Sequence, residues 1–213
     1  MVIMKNILKS NYRRRQTGLG ATVILFTIAL LILVGAALAY ANRGNTGTIN
    51  VQGAKVYSAV LLKQSADYRD AYSRFVFDGG NAATMTFNAA GLPAGDLFNP
   101  TTQYGVYQAP PPQAMNGGAA AAWSYNANVL VKGVGTDPGP EVLTYVPNLT
   151  QAVCQQINNQ MYGTTAIPVA TIASTALATS GTAVDTTPTV GRSTGCFATT
   201  DTVYVFYSTL AES

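Results

Sequence analysis

An uncharged stretch of 23 residues, 19–41, constrains this chain more than any other feature of its sequence. A helix of that length would span roughly 34 Å, enough to cross a bilayer core of about 30 Å. The 18 residues before it carry five basic side chains and no acidic one. Because basic residues beside an apolar span stay in the cytoplasm, the pattern predicts a membrane-spanning helix with residues after 42 outside.

The rest of the chain has little charge and no histidine. Of the 12 basic residues, 7 follow residue 18, against all 9 acidic ones, so the positive net charge of +3 comes from the leader. A chain without a basic surface beyond its leader is not expected to bind nucleic acid. The absence of His excludes Ser-His-Asp and Cys-His catalysis and most zinc sites. The sequence therefore predicts no enzyme, no cofactor and no metal site.

The N-terminus allows three forms of the mature chain. Cleavage after Gly18 keeps the apolar segment, and the mature chain then begins at Leu19. Signal peptidase could instead cut at the A-x-A pattern over residues 37–39, leaving Tyr40 first, and an uncut anchor would begin at Met1. The apolar segment is longer than the roughly 7–15 residues of a secretory signal, which favours cleavage after Gly18.

Residues 54–77 have the apolar period of an amphipathic helix. Six side chains at spacings of three and four form its predicted buried face: Tyr57, Leu61, Gln64, Tyr68, Tyr72 and Phe75. The pairs Lys63–Asp67 and Asp70–Arg74 stand at i,i+4 on the solvated side. The glycines that follow residue 78 predict the end of the helix.

The residues just before this helix are rich in glycine. Three glycines within residues 42–53 weaken a helix by roughly 1 kcal/mol each, so a break or hinge is predicted there.

The helix also carries acidic residues that could have a chemical role. Asp67 and Asp70 share one helix face, with Asp78 nearby in sequence, and two carboxylates could bind a cation or act as an acid–base pair. The simpler interpretation, a solvated face paired with basic residues, is favoured.

The C-terminal part of the chain predicts a sheet with one helix inserted. Strand-like runs at 128–132 and 141–146 are separated by Gly and Pro and predict a hairpin, while 83–87 and 201–207 predict further strands. Asn148 or Thr150 can cap a helix in which Val153, Ile157 and Met161 recur every fourth residue. Residues 163–195 are rich in Thr, Ala and Ser and predict loops with a short strand.

The two cysteines, Cys154 and Cys196, are 42 positions apart. An even number of cysteines outside the cytoplasm favours a disulfide. Closing a loop of that size would stabilise the folded state by about 4 kcal/mol through loop-closure entropy. The alternative is a pair of free, buried thiols.

Two of these patterns together resemble a known family. The basic leader that ends at Gly18 before an apolar segment resembles the prepilin signal of type IV pilins and type II secretion pseudopilins. Residues 149–154, with Cys196 just before the last predicted strand, resemble the disulfide-bounded region of type IVb pilins. The resemblance covers the first 41 residues and the C-terminal third of the chain.

The resemblance implies an α+β fold, in which a long membrane-spanning N-terminal helix leads into an amphipathic helix packed on an antiparallel sheet. It divides the chain into a leader (1–18), a transmembrane and assembly helix with a glycine-containing hinge (19–53), and a pilin-like head (54–213). It implies that a prepilin peptidase cuts between Gly18 and Leu19 and methylates Leu19. One residue departs from the family pattern, because Val23 stands where most members have a Glu that contacts the neighbouring subunit.

The function that the resemblance implies is a structural subunit of a type IV pilus or a related filament, assembled through the apolar helix. Its partners would be other copies or related subunits, prepilin peptidase and an inner-membrane assembly platform. The subunit would reside in membrane lipid before assembly and in an extracellular filament afterwards. Two alternatives are a membrane-anchored periplasmic domain that does not polymerise and a secreted binding or adhesion domain.

Overall fold

The computed structural model describes residues 46–87, 97–99, 104–135, 140–179, 181–184 and 191–212. Within these residues the chain forms two α-helices and five strands. The helices are α1 (Thr46–Phe77) and α2 (Gln151–Tyr162). The strands are β1 (Ser124–Val131), β2 (Glu141–Leu149), β3 (Thr182–Val184), β4 (Thr194–Ala198) and β5 (Tyr204–Ala211).

Helix α1 runs without a break from Thr46 through Gly53 to Phe77. The predicted hinge is therefore wrong for residues 46–53, while residues 42–45 lie outside the described part of the chain. The predicted end is confirmed: Gly79 has a φ of 86°, and its N–H donates to the carbonyl oxygen of Val76 at 2.9 Å. Glycine takes this left-handed conformation without a steric penalty, which is why the helix stops there.

The predicted buried face of α1 is confirmed. Five of its six side chains are buried and the sixth, Tyr57, is partly so: the five are Leu61, Gln64, Tyr68, Tyr72 and Phe75. This face packs on the sheet together with residues from the 97–123 region, among them Leu97 and Trp123. The spacing of three and four therefore located the helical side of the core.

The strands form one mixed sheet in the order β3-β1-β2-β5-β4. The pairs β1/β2, β2/β5 and β4/β5 are antiparallel, so the predicted hairpin is confirmed, but β1 and β3 are parallel. The prediction of a purely antiparallel sheet is therefore wrong at the edge formed by β3. Between β1 and β3 the chain passes through β2, α2 and a loop, and this connection is long enough to bring β3 back parallel to β1.

Each face of the sheet is covered by a different layer. One face, called here the helical face, packs against α1 and α2 through residues such as Val146, Phe206 and Leu210. The other face packs against residues 163–179, called here the loop layer. Its buried residues include Ala170 and Leu177, which meet the outward side chains of β2, β4 and β5. The sheet is thus the middle of three layers.

The fold-class prediction is wrong in its first element. Among the residues that the structure describes, no helix is long and apolar enough to cross a membrane. Helix α1 has 32 residues, but its outward side carries charges such as Lys55, Lys63 and Asp70, so it is amphipathic rather than apolar throughout. The leader, Gly18, Leu19, Val23 and the segment 19–41 lie outside the described residues.

Four strand predictions differ from the structure in extent or kind, and one of them is β2, which continues past its predicted end at residue 146 to Leu149. Residues 83–87 are not a strand, since Ala82–Thr84 form a 3-10 turn whose start is capped by the Asn81 side chain, which accepts from the N–H of Ala83 at 2.9 Å. Strand β1 begins four residues earlier than predicted and is irregular between Asn126 and Val129. The last strand starts and ends later than predicted.

Candidate functional site

The predicted disulfide is confirmed. Cys154 on α2 and Cys196 on β4 are bonded, with their Cα atoms 5.3 Å apart, and both are buried. The bond ties α2 to the helical face of the sheet. The chain between the two cysteines includes the whole loop layer, so the bond closes a ring that encloses this layer. The disulfide and what it holds form the candidate functional region.

Helix α2 carries Cys154 to the sheet because its ends and its apolar period are well defined. Thr150, one of the two predicted caps, begins it, with its hydroxyl accepting from the N–H of Val153 at 3.4 Å. The other, Asn148, lies in β2. Gly163 ends it in the left-handed conformation. Val153 and Ile157 are buried as predicted, but Met161 is 43% exposed, so the predicted apolar face is wrong at its last position.

Asn158 fastens the disulfide region by hydrogen bonds. Its side-chain Oδ1 accepts from the N–H of Cys196 at 2.9 Å, and its Nδ2 donates to the carbonyl oxygens of Cys196 at 2.8 Å and Ala166 at 2.9 Å. The side chain is fully buried. Sequence reasoning missed this residue, although its spacing of four from Cys154 places both on one helix face and was the signal available.

A short part of the loop layer pairs with the last residue of β4. The N–H of Ala170 donates to the carbonyl oxygen of Ala198 at 2.8 Å. The N–H of Ala198 donates to the carbonyl oxygen of Pro168, also at 2.8 Å. The layer is also held from β1, where the buried Asn126 donates from Nδ2 to the carbonyl oxygens of Leu177 and Thr179. These contacts satisfy backbone groups that would otherwise be orphaned in a buried loop.

Asp201, in the turn between β4 and β5, holds the far side of the loop layer. Its carboxylate accepts from the hydroxyl of Ser174 at 2.7 Å and from the N–H of Ser174 at 2.9 Å. The hydrogen bond from the Ser174 hydroxyl, followed by one from Thr199, lowers the pKa of Asp201 to about 2. These bonds favour the ionised carboxylate, so the turn and the loop layer stay joined at neutral pH.

The outward surface of α1 combines exposed apolar residues with few ion pairs. Val51 and Val56 are exposed near the N-terminal end of the described helix. The Lys63–Asp67 pair is confirmed, with Nζ and Oδ2 2.6 Å apart. Arg74 donates from Nε to the backbone carbonyl oxygen of Asp70 at 3.3 Å. Exposed apolar side chains therefore occur at both ends of the helix, since Val76 and Phe77 are exposed at its C-terminal end.

The geometry does not support cation binding or acid–base chemistry at Asp67 and Asp70. Asp67 forms an ion pair with Lys63, and within the described residues no group of three or more His, Cys, Asp or Glu side chains could hold a metal ion.

No protein-family model matches the chain, and no curated protein or solved structure is significantly similar to it. A functional interpretation therefore depends on the residues and contacts described above and on the resemblance of the leader and cysteine region.

Proposed function

We propose that this protein is a structural subunit of a pilin-like filament, processed between Gly18 and Leu19 and assembled through the apolar segment 19–41. The observation that carries the proposal is the Cys154–Cys196 bond in a head whose long first helix follows that segment in the chain. A basic leader, an uncharged segment and a disulfide-closed α+β head occur in the order expected of such subunits.

The apolar segment supplies the driving force for assembly. Leaving a large aliphatic side chain in water rather than burying it costs roughly 1.5–3 kcal/mol, and the segment contains many of them. Such a segment must be covered, and the equivalent segments of neighbouring copies would cover it along a filament. Small residues within it, including Gly35 and Ala36, would let neighbouring backbones approach closely.

Helix α1 would extend this contact. Val51 and Val56 are exposed on the turns that follow the segment in sequence, and exposed apolar side chains that adjoin an assembly segment are natural contacts between copies. Only 10% of the chain is charged, which keeps repulsion between packed copies low. A prepilin peptidase and an inner-membrane assembly platform would be the partners that process and polymerise it.

The test is to co-express the full chain with a prepilin peptidase and compare Gly18→Ala with Gly20→Ala. We expect the unchanged chain and Gly20→Ala to be cleaved and to form filaments visible by electron microscopy. Gly18→Ala should be neither cleaved nor assembled, because the peptidase reads the glycine that precedes the cut. Filaments formed equally well by Gly18→Ala would contradict the proposal.

A second candidate is a binding or adhesion domain that does not polymerise. The observation that favours it is Val23, which lacks the carboxylate that most pilins place at this position. The same experiment separates the candidates, because the second predicts monomers and a mature chain that begins at Tyr40 or Met1.

A further inference from the structure

We propose that a groove beside the first turns of α2 is a binding site for a neutral oligosaccharide. The groove has a volume of about 490 Å³, within the range of roughly 300–1,000 Å³ that is typical of small-ligand sites. Three elements form its walls: the start of α2, residues 165–169 of the loop layer, and the turn between β4 and β5. This site does not depend on the proposed assembly function.

The polar lining of the groove is neutral. Gln151 and Gln155 lie one helical turn apart, so both amides stand on the same side of α2. Amides and hydroxyls can each donate and accept hydrogen bonds, as sugar hydroxyls do. The polar residues that line the groove are Gln151, Gln155, Thr165, Thr199, Thr200 and Thr202.

The remaining lining is apolar or aromatic. Ile167 and Val169 contribute aliphatic surface, and Val169 is 61% exposed. Tyr204, at the start of β5, adds a ring with a polar edge. A sugar ring has C–H faces and hydroxyl edges, so it matches a site in which aliphatic and aromatic surface alternates with neutral hydrogen-bonding groups.

The absence of charge decides between ligand classes. None of the residues that line the groove within the described part of the chain is charged. A charged ligand would lose hydration without meeting a counter-charge. Asp201 lies between two lining threonines in sequence, and its carboxylate, held by Ser174, further disfavours an anion. The groove therefore favours an uncharged, hydroxyl-rich ligand.

Thr202 provides an independent argument that the groove is more than a surface irregularity. It has a φ of 62°, a left-handed conformation that is unusual for a β-branched residue. Its N–H donates to the carbonyl oxygen of Thr199 at 3.0 Å, which closes the turn. A glycine would hold the same turn with less strain, but it would remove the side chain that lines the groove.

The walls of the groove are held in place before any ligand binds. The disulfide joins α2 to β4 beside Gln155, and hydrogen bonds between Ala198 and residues 168 and 170 join the loop layer to the same strand. A preformed site loses little conformational freedom on binding. The geometry thus suits recognition without a large rearrangement.

The experiment is saturation-transfer difference NMR on the full chain, with maltotetraose, cellotetraose and fully N-acetylated chitotetraose as separate neutral probes. We expect saturation transfer from the protein to at least one of these sugars. Gln151→Ala combined with Gln155→Ala, and separately Thr202→Gly, should weaken binding roughly tenfold, because both remove hydrogen-bonding groups from the groove. Gln52→Ala, an exposed glutamine on α1, is the matched control and should leave binding unchanged.

Thr202→Gly separates binding from folding. Because it relieves backbone strain, its melting temperature should equal or exceed that of the unchanged chain while binding weakens. The proposal would be overturned if no probe shows transfer, or if the groove variants bind as well as the Gln52→Ala control. Transfer only to a heparin tetrasaccharide, or only to an uncharged Gly-Ser peptide, would overturn it as well.

Discussion

The two faces of the sheet are covered in contrasting ways. The helical face is filled by large aromatic side chains, and the loop layer on the opposite face contributes mostly small ones. The aromatic side is held by buried apolar area and contains the disulfide, whereas the loop layer lies within the ring that the disulfide closes and is fastened by single polar side chains such as Asn126 and Asp201. A segment poor in large apolar residues can therefore become a core layer when covalent and hydrogen-bonded ties replace the missing area.

Tyr68 is the centre of the aromatic side. Its ring lies 5.0–5.3 Å, centroid to centroid, from the rings of Phe87, Phe98 and Trp123. Its hydroxyl donates to the carbonyl oxygen of Gln108 at 2.8 Å and accepts from the N–H of the same residue at 2.9 Å. Burial raises the pKa of Tyr68 far above its usual value. The ring thus joins α1 to the segment that precedes the sheet.

Removing the Tyr68 ring should cause the largest loss of stability. We expect Tyr68→Ala to lower the free energy of unfolding by about 5 kcal/mol, because it opens a large cavity and leaves the Gln108 backbone groups unpaired. Urea denaturation followed by circular dichroism measures the change. Tyr68→Phe, which keeps the ring, should cost about 1–3 kcal/mol. A loss from Tyr68→Ala within about 0.5 kcal/mol, as for surface substitutions, would show that this side is not held by its aromatics.

Removing the disulfide should weaken the loop layer selectively. Cys154→Ala with Cys196→Ala should lower the free energy of unfolding by about 4 kcal/mol, since the 42-residue ring is opened. Hydrogen exchange should then be faster in α2 and in residues 164–179, which the ring encloses, and nearly unchanged in residues 61–75 of α1. The unchanged chain under reducing conditions should behave in the same way. Equal loss of protection in both regions would contradict the division into two independently held layers.

Asn158→Ala should have an intermediate effect. It removes three hydrogen bonds and leaves the buried backbone N–H and carbonyl oxygen of Cys196 without this partner, so we expect a loss of about 2–3 kcal/mol. Thermal unfolding with the disulfide intact isolates this contribution. Asn159→Ala, an exposed neighbour, is the matched control and should be nearly neutral. If both variants lose the same stability, the polar fastening at the disulfide is unimportant.

The smallest loss of stability is expected from replacing Asp201, and it should depend on pH. Its pKa is lowered to about 2 from an ordinary value of 3.8, so its contribution is fully present above about pH 4 and is lost as the pH falls towards 2. Asp201→Asn should therefore melt lower than the unchanged chain at pH 7, and the two melting temperatures should converge near pH 2. Ser174→Ala should reduce the same pH dependence, because it removes the largest cause of the lowered pKa. A constant difference from pH 7 to pH 2 would contradict this role.

The sequence predicted the aromatic side better than the loop layer for a physical reason. Periodic large residues such as Leu61, Tyr68 and Phe75 produce a helical pattern that is visible without the fold. The loop layer depends on contacts between positions far apart, such as Asn126 with Leu177, and no local period reports them. The parallel placement of β3 was missed for the same reason, because its partner is more than fifty residues away.

The candidate site was predictable in its covalent part only. With two cysteines there is a single possible intramolecular pair, and Thr150 was a recognisable cap for the helix that carries one of them. Asn158 was missed although it stands four residues after Cys154, because an amide side chain does not by itself indicate burial. The strained conformation of Thr202 could not be foreseen either, since turn signals point to Gly, Asn or Asp rather than Thr.

The identity of the first residue in the mature protein tests the proposed filament function most directly. Intact-mass and terminal-peptide mass spectrometry on protein from cells that contain a prepilin peptidase would identify it. The account predicts a chain that begins with a methylated Leu19 and retains residues 19–41. A mature chain that begins at Tyr40 or Met1 would contradict it, because the segment proposed to join the copies would then be lost or would still carry its leader.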